Sequence, residues 1–131
     1  RVGHQPGAFI DRRRAVLEAV HDRQLAEHGG GEGLRDEGGL ESAIARAVNR
    51  ALYENPTTAE LAAAYAFGIA RNHHFVDGNK RTAWVAARLF LALNGIGLNF
   101  DKADATLMVQ RLAAGELGED EVTAWFAGHI D

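Results

Sequence analysis

The chain has no cysteine. That excludes a disulfide framework and thiol chemistry, and it agrees with a cytoplasmic location. No apolar run reaches the roughly 18 residues that a membrane span needs, so no membrane association is expected. The N-terminal residues lack the apolar core of a secretory signal. They begin at Arg1 rather than methionine, and residues 1–7 are expected to be disordered or foreign to the natural start. Basic residues are not in excess: 14 Lys and Arg stand against 18 Asp and Glu, for a formal charge of −4. A broad nucleic-acid-binding surface is therefore disfavoured, and no direct DNA binding is expected. No stretch alternates with period two for long enough to require a sheet, and no internal repeat or low-complexity tract stands out.

What is present is apolar residues in helical spacing. At 47% hydrophobic over 131 residues, the chain can bury one real core as a single domain, residues 1–131. Ala15, Val16, Ala19 and Val20 give a first helix over 8–26 its inward stripe. Leu40, Ala43, Ile44, Ala47, Val48 and Ala51 mark a second over 39–52. Asn55-Pro56 breaks it. Thr57 or Thr58 caps a third helix, with Glu60 in its first turn and Leu61, Ala64, Tyr65, Gly68 and Ile69 facing inward. A fourth starts near Lys80 and stops at Asn94-Gly95. Asp101 or Asp104 caps a fifth, carrying Leu107, Met108 and Leu112. A sixth begins near Glu119 with Val122, Trp125 and Phe126. Trp84, Phe90 and Trp125 are expected in the core. The expected fold is all-α: one compact bundle of about six helices.

The chemistry concentrates in His73-His74-Phe75-Val76-Asp77-Gly78-Asn79-Lys80-Arg81-Thr82. A loop rich in polar groups opens there into an apolar helix. The first turn of a helix offers unpaired N–H groups and the positive end of a dipole, which suit phosphate. Gly78 lets backbone approach closely. Asn79, Lys80, Arg81 and Thr82 surround the same point, and Arg71 lies two residues ahead of the stretch. Asp77 suits Mg²⁺, which takes one or two carboxylates plus phosphate oxygens. His73 is a base of the type that works near neutrality. Two simpler readings stay open: Asp77 as a helix cap, and Asn79 as a turn residue.

These residues resemble the signature of the Fic/Doc family, in the His-x-Phe-x-Asp-Gly-Asn-Lys-Arg-Thr form of its Doc (death-on-curing) branch. The resemblance extends over Gly33 to Asp36, Leu40 to Ala43 and Ala63 to Asn72. It implies a Fic/Doc-like helical fold and a toxin of a toxin–antitoxin pair. The implied activity is transfer of the γ-phosphoryl group of ATP to a threonine or serine of a protein, expected to be elongation factor Tu. The implied roles make His73, Asp77, Lys80 and Arg81 catalytic. Arg71, Gly78, Asn79, Lys80, Arg81 and Thr82 would hold the nucleotide phosphates, and Asp77 the Mg²⁺. The AMP-transferring branch is expected to read Gly-Asn-Gly-Arg-x-x-Arg here. This chain has Lys80 for the second glycine and Trp84 for the second arginine. The alternatives are an AMP-transferase and a catalytically silent binding module.

The resemblance also implies a partner. Many relatives carry an inhibitory helix with serine or threonine four residues before a glutamate. No glutamate in this chain has serine or threonine four positions earlier. A separate Phd-like antitoxin is expected to supply the brake in trans. A flap that docks the target is expected near 50–57. His21-Asp22 also matches the dipeptide of helical metal phosphohydrolases, but the remaining ligands have no good candidates beyond His4 and Asp104. Gly29-Gly30-Gly31 fits neither phosphate-loop pattern and reads as a connection.

Overall fold

A computed structural model describes residues 6–29, 37–72 and 79–130. Among them run six helices: α1 (Pro6–His28), α2 (Glu37–Tyr53), α3 (Thr58–Asn72), α4 (Asn79–Leu93), α5 (Lys102–Ala113) and α6 (Glu119–His129). The β structure among the described residues is one bridge, Leu98 to Ile130. No helix of the described residues is long and apolar enough to cross a membrane.

Local signals set most boundaries. Pro6 opens α1, where its missing N–H costs nothing. At α3 the Thr57 hydroxyl accepts from the Glu60 N–H at 3.1 Å, and Glu60 accepts from the Thr57 N–H at 3.0 Å. This reciprocal capping box selects Thr57 over Thr58 as the cap. Asp101 caps α5 by accepting from the Asp104 N–H at 3.3 Å. α4 and α5 end alike. Gly95 (φ 71°) and Gly115 (φ 84°) take the left-handed conformation. The paired bonds Gly95 N–H to Ala92, Ile96 N–H to Leu91, Gly115 N–H to Leu112 and Glu116 N–H to Arg111 close both ends.

α3 is the central helix, packed against α2, α4, α5 and α6. Ala62, Ala63, Ala64, Ala66, Ile69 and Ala70 are all buried. A Cβ added at Gly68 would stand 3.0 Å from the Ala43 Cβ, so α2 and α3 nearly touch there. Leu40, Ile44, Leu91, Leu112, Val122 and Phe126 fill the space around them. Trp84, Phe90 and Trp125 pack against this core but are only partly buried.

Three expectations are corrected. α1 turns Leu17 and His21 inward, while Val16 is 47% exposed and Ala15 and Ala19 face solvent. In a helix rich in alanine the i, i+4 pair with the larger side chains wins the core. Leu107 is exposed on α5, and Met108 and Leu112 carry its buried face. The expected flap segment, 50–57, does not adjoin the end of α3 from which the motif runs. That connection meets the start of α3, and the motif follows its end, 15 residues later, about 22 Å at the helical rise of ~1.5 Å per residue. Gly68, one turn before the end of α3, meets Ala43 of α2; residues 30–36 lie outside the described residues.

Candidate active site

α3 and α4 are neighbours, and the loop between them is the motif. His73, Asp77 and Gly78 lie outside the described residues. What the structure shows is the frame on either side: the end of α3 and the first turn of α4.

α4 begins at Asn79, and its first turn holds no acidic residue. Asn79 and Thr82 are buried, whereas Lys80 and Arg81 are exposed. The alternation follows the helical turn: Asn79, Thr82 and Ala83 face the bundle, and the two cations stand on the open side. The Thr82 hydroxyl is fully buried and has no hydrogen-bond partner among the described residues. Two cations at the positive end of a helix dipole are arranged against helix stability, by roughly 0.3–1 kcal/mol each. Among the described residues, the start of α4 thus carries two cations and no acid, an arrangement that suits an anion.

On the other side, Arg71 occupies the last turn of α3, where a cation suits the negative end of the dipole. Its guanidinium carbon lies 5.0 Å from the centre of the Phe67 ring, and Nη1 donates to the Leu117 carbonyl at 3.4 Å. Arg71 thus ties the end of α3 to the turn between α5 and α6. Trp84, one turn into α4, is edge-on to Phe100 at 5.2 Å and to Trp125 at 5.9 Å, and stacked on Phe126 at 6.3 Å. Arg88 covers the rings of Trp84 and Phe100.

Away from this site, Arg50 links three elements. It reaches Glu60 at 2.8 Å, Glu119 at 3.4 Å and Glu54 at 3.5 Å, and Arg46 also pairs with Glu119. Glu60 is held below the usual carboxylate range by the Thr57 N–H and then by the Arg50 guanidinium. His21 is buried while Asp22 is exposed, so the His21-Asp22 dipeptide does not converge on one point. Sequence reading also missed a cluster of Asp104, Trp125 and His129. The one signal for it was the four-residue spacing of Trp125 and His129 on a helix.

The described residues give an all-α domain in which a loop whose sequence carries a histidine and a carboxylate runs into a helix that opens on two cations and no acid. The Fic/DOC family model matches residues 11–91, the span of α1 to most of α4, and the chain belongs to that family. Over 107 residues it is 38% identical to the protein kinase doc of Escherichia phage P1, covering 81% of this chain and 84% of that protein. Over 104 residues it is 40% identical to the toxin Doc of Mycolicibacterium smegmatis, covering 76% of this chain and 80% of that protein.

Proposed function

We propose that this protein is a Doc-like toxin that moves the γ-phosphoryl group of ATP onto a serine or threonine hydroxyl of another protein. The observation that carries the reading is the start of α4. Lys80 and Arg81 stand on its open side with no acid in the turn to answer them. The names of the two relatives, a protein kinase and a toxin, support the activity and the biological class.

Phosphoryl transfer depends on positioning and charge neutralisation more than on covalent help. His73 would accept the proton of the attacking hydroxyl. The first-turn N–H groups of α4, with Asn79, Lys80 and Arg81, would hold and neutralise the transferred group as ADP leaves. Asp77, which lies outside the described residues, is the carboxylate that would hold Mg²⁺, completed by phosphate oxygens. When bound, Mg²⁺ offsets phosphate charge. Arg71, held in this structure by the Leu117 carbonyl, would have to release that contact to meet the outer phosphates, and Gly78 would give them room.

The target proposed from the resemblance is elongation factor Tu, with arrested translation in the cytoplasm as the outcome. The brake is a Phd-like antitoxin acting in trans, because the chain has no glutamate in the inhibitory pattern. AMP transfer is disfavoured by Trp84, whose ring lies among Phe100, Trp125 and Phe126 and offers the phosphates no charge. Parallel assays with ATP labelled at the α or γ phosphate test the reading. Label from the γ position on the target is expected. Label from the α position alone would overturn it.

A further inference from the structure

The last turn of α6 carries a cluster that the proposed reaction does not use. His129 Nδ1 lies 2.6 Å from the Trp125 carbonyl oxygen. Its Nε2 lies 3.2 Å from Asp104 Oδ2 on α5. The Trp125 indole N–H donates to the same Asp104 oxygen at 3.1 Å. The imidazole lies nearly flat on the indole, with centroids 4.0 Å apart and planes at 18°.

Both partners of the ring nitrogens are acceptors only, a carbonyl and a carboxylate. A neutral imidazole has one N–H and one lone pair, so it satisfies one partner and opposes the other. An imidazolium has two N–H groups and satisfies both. Two surroundings favour the cation further. The ring stands at the C-terminal end of α6, the negative end of its dipole. Its face rests on an aromatic ring, which attracts positive charge.

We infer that Asp104, Trp125 and His129 form a proton-dependent latch, closed while the His129 ring carries both protons. The charged groups around it are few. From α5 come Asp104 and the cap Asp101, whose carboxylate is engaged by the Asp104 N–H. From α4 comes Arg88, which covers Trp84 and Phe100. The connection before α5 contributes uncharged Asn99, whose N–H donates to the His129 carbonyl at 2.8 Å. Asp131 lies outside the described residues.

The latch fastens two things. It holds the end of α6 against the connection from α4 to α5, where the Asn99 bond and the Leu98–Ile130 bridge sit. It also fixes the Trp125 ring, whose edge meets Trp84 on α4. Loss of one proton sets a lone pair against an acceptor, so the latch loosens as pH rises.

The test uses the full chain with ¹⁵N-labelled histidine. Over a pH series, long-range proton–nitrogen NMR is expected to show both His129 ring nitrogens protonated wherever Asn99 exchange is slow. A bare nitrogen there overturns the inference. Amide exchange at Asn99, referenced to the core amide of Leu112, reads the latch itself. His129→Gln is expected to speed Asn99 exchange about tenfold, the order expected for losing a charge-assisted bond. Equal Asn99 exchange in the two proteins also overturns it.

Discussion

The start of α4 and the start of α6 are both first turns of α-helices, and their chemistry is opposite. α6 opens with Glu119, Asp120 and Glu121. Glu121 reaches back to accept from the Gly118 N–H at 3.0 Å, and Glu119 meets Arg46 and Arg50. Its positive end is answered from within the chain. α4 opens with Lys80 and Arg81 and no acid. No acid among the described residues answers its positive end, and the two added cations deepen its attraction for an anion. α3 and α5 follow α6, with Glu60 and Asp104 in their first turns. α1 also lacks an acid in its first turn, but among the described helices the one that opens on two cations and no acid is the one at the motif.

That contrast can be broken from the motif side first. His73→Ala is expected to leave melting unchanged and lower γ-phosphoryl transfer by roughly 10²–10⁴, the usual worth of a general base. Wild-type-like turnover in the folded variant removes His73 from the mechanism. Next, Arg81→Glu makes α4 resemble α6. Transfer should fall by at least about tenfold, while the ligand-free protein gains roughly 0.3–1 kcal/mol from the repaired dipole. Calorimetry with and without ATP separates the two effects, and a variant that loses both stability and activity contradicts the comparison.

On the far side, Thr57→Ala removes the α3 cap and should cost about 1 kcal/mol with transfer rates unchanged. A matched fall in catalytic rate in the still-folded protein would mean that the two ends of α3 are coupled. The smallest effect is on acid stability. Glu60 is held below the ordinary carboxylate range, so its contribution is present above that range and is lost as pH falls through its lowered value. Glu60→Gln should flatten the acid side of the melting profile slightly. An unchanged slope would assign the acid sensitivity to other carboxylates.

The helix starts and stops were legible because each rests on a local device: Thr57 with Glu60, Asn94-Gly95, Asp101. The inward face of α1 was not. Ala15, Val16, Ala19 and Val20 are spaced as helically as Leu17 and His21, and alanine distinguishes the two faces weakly. A histidine also reads as polar until something packs over it. The candidate site was legible as a contiguous run, and the burial of Asn79 and Thr82 beside exposed Lys80 and Arg81 follows from the turn of one helix. The Asp104, Trp125 and His129 cluster was not legible, since Asp104 and Trp125 are 21 residues apart and meet only after α5 and α6 pack.

The alanines of α3 carry a consequence for sequence drift. A helix that buries methyl groups has little to lose by truncation and no room to grow. Around it, Ile44, Leu91 and Phe126 can be cut down at the cost of a cavity. At Ala62, Ala63, Ala66 and Ala70, and most of all at Gly68, where a single added carbon already meets Ala43 at 3.0 Å, enlargement must push whole helices apart. Because the motif loop hangs from the end of this helix, substitutions far from any reacting atom should act on the reaction as changes of spacing. Relatives that keep the reaction are expected to vary the girth of the outer helices while α3 stays thin.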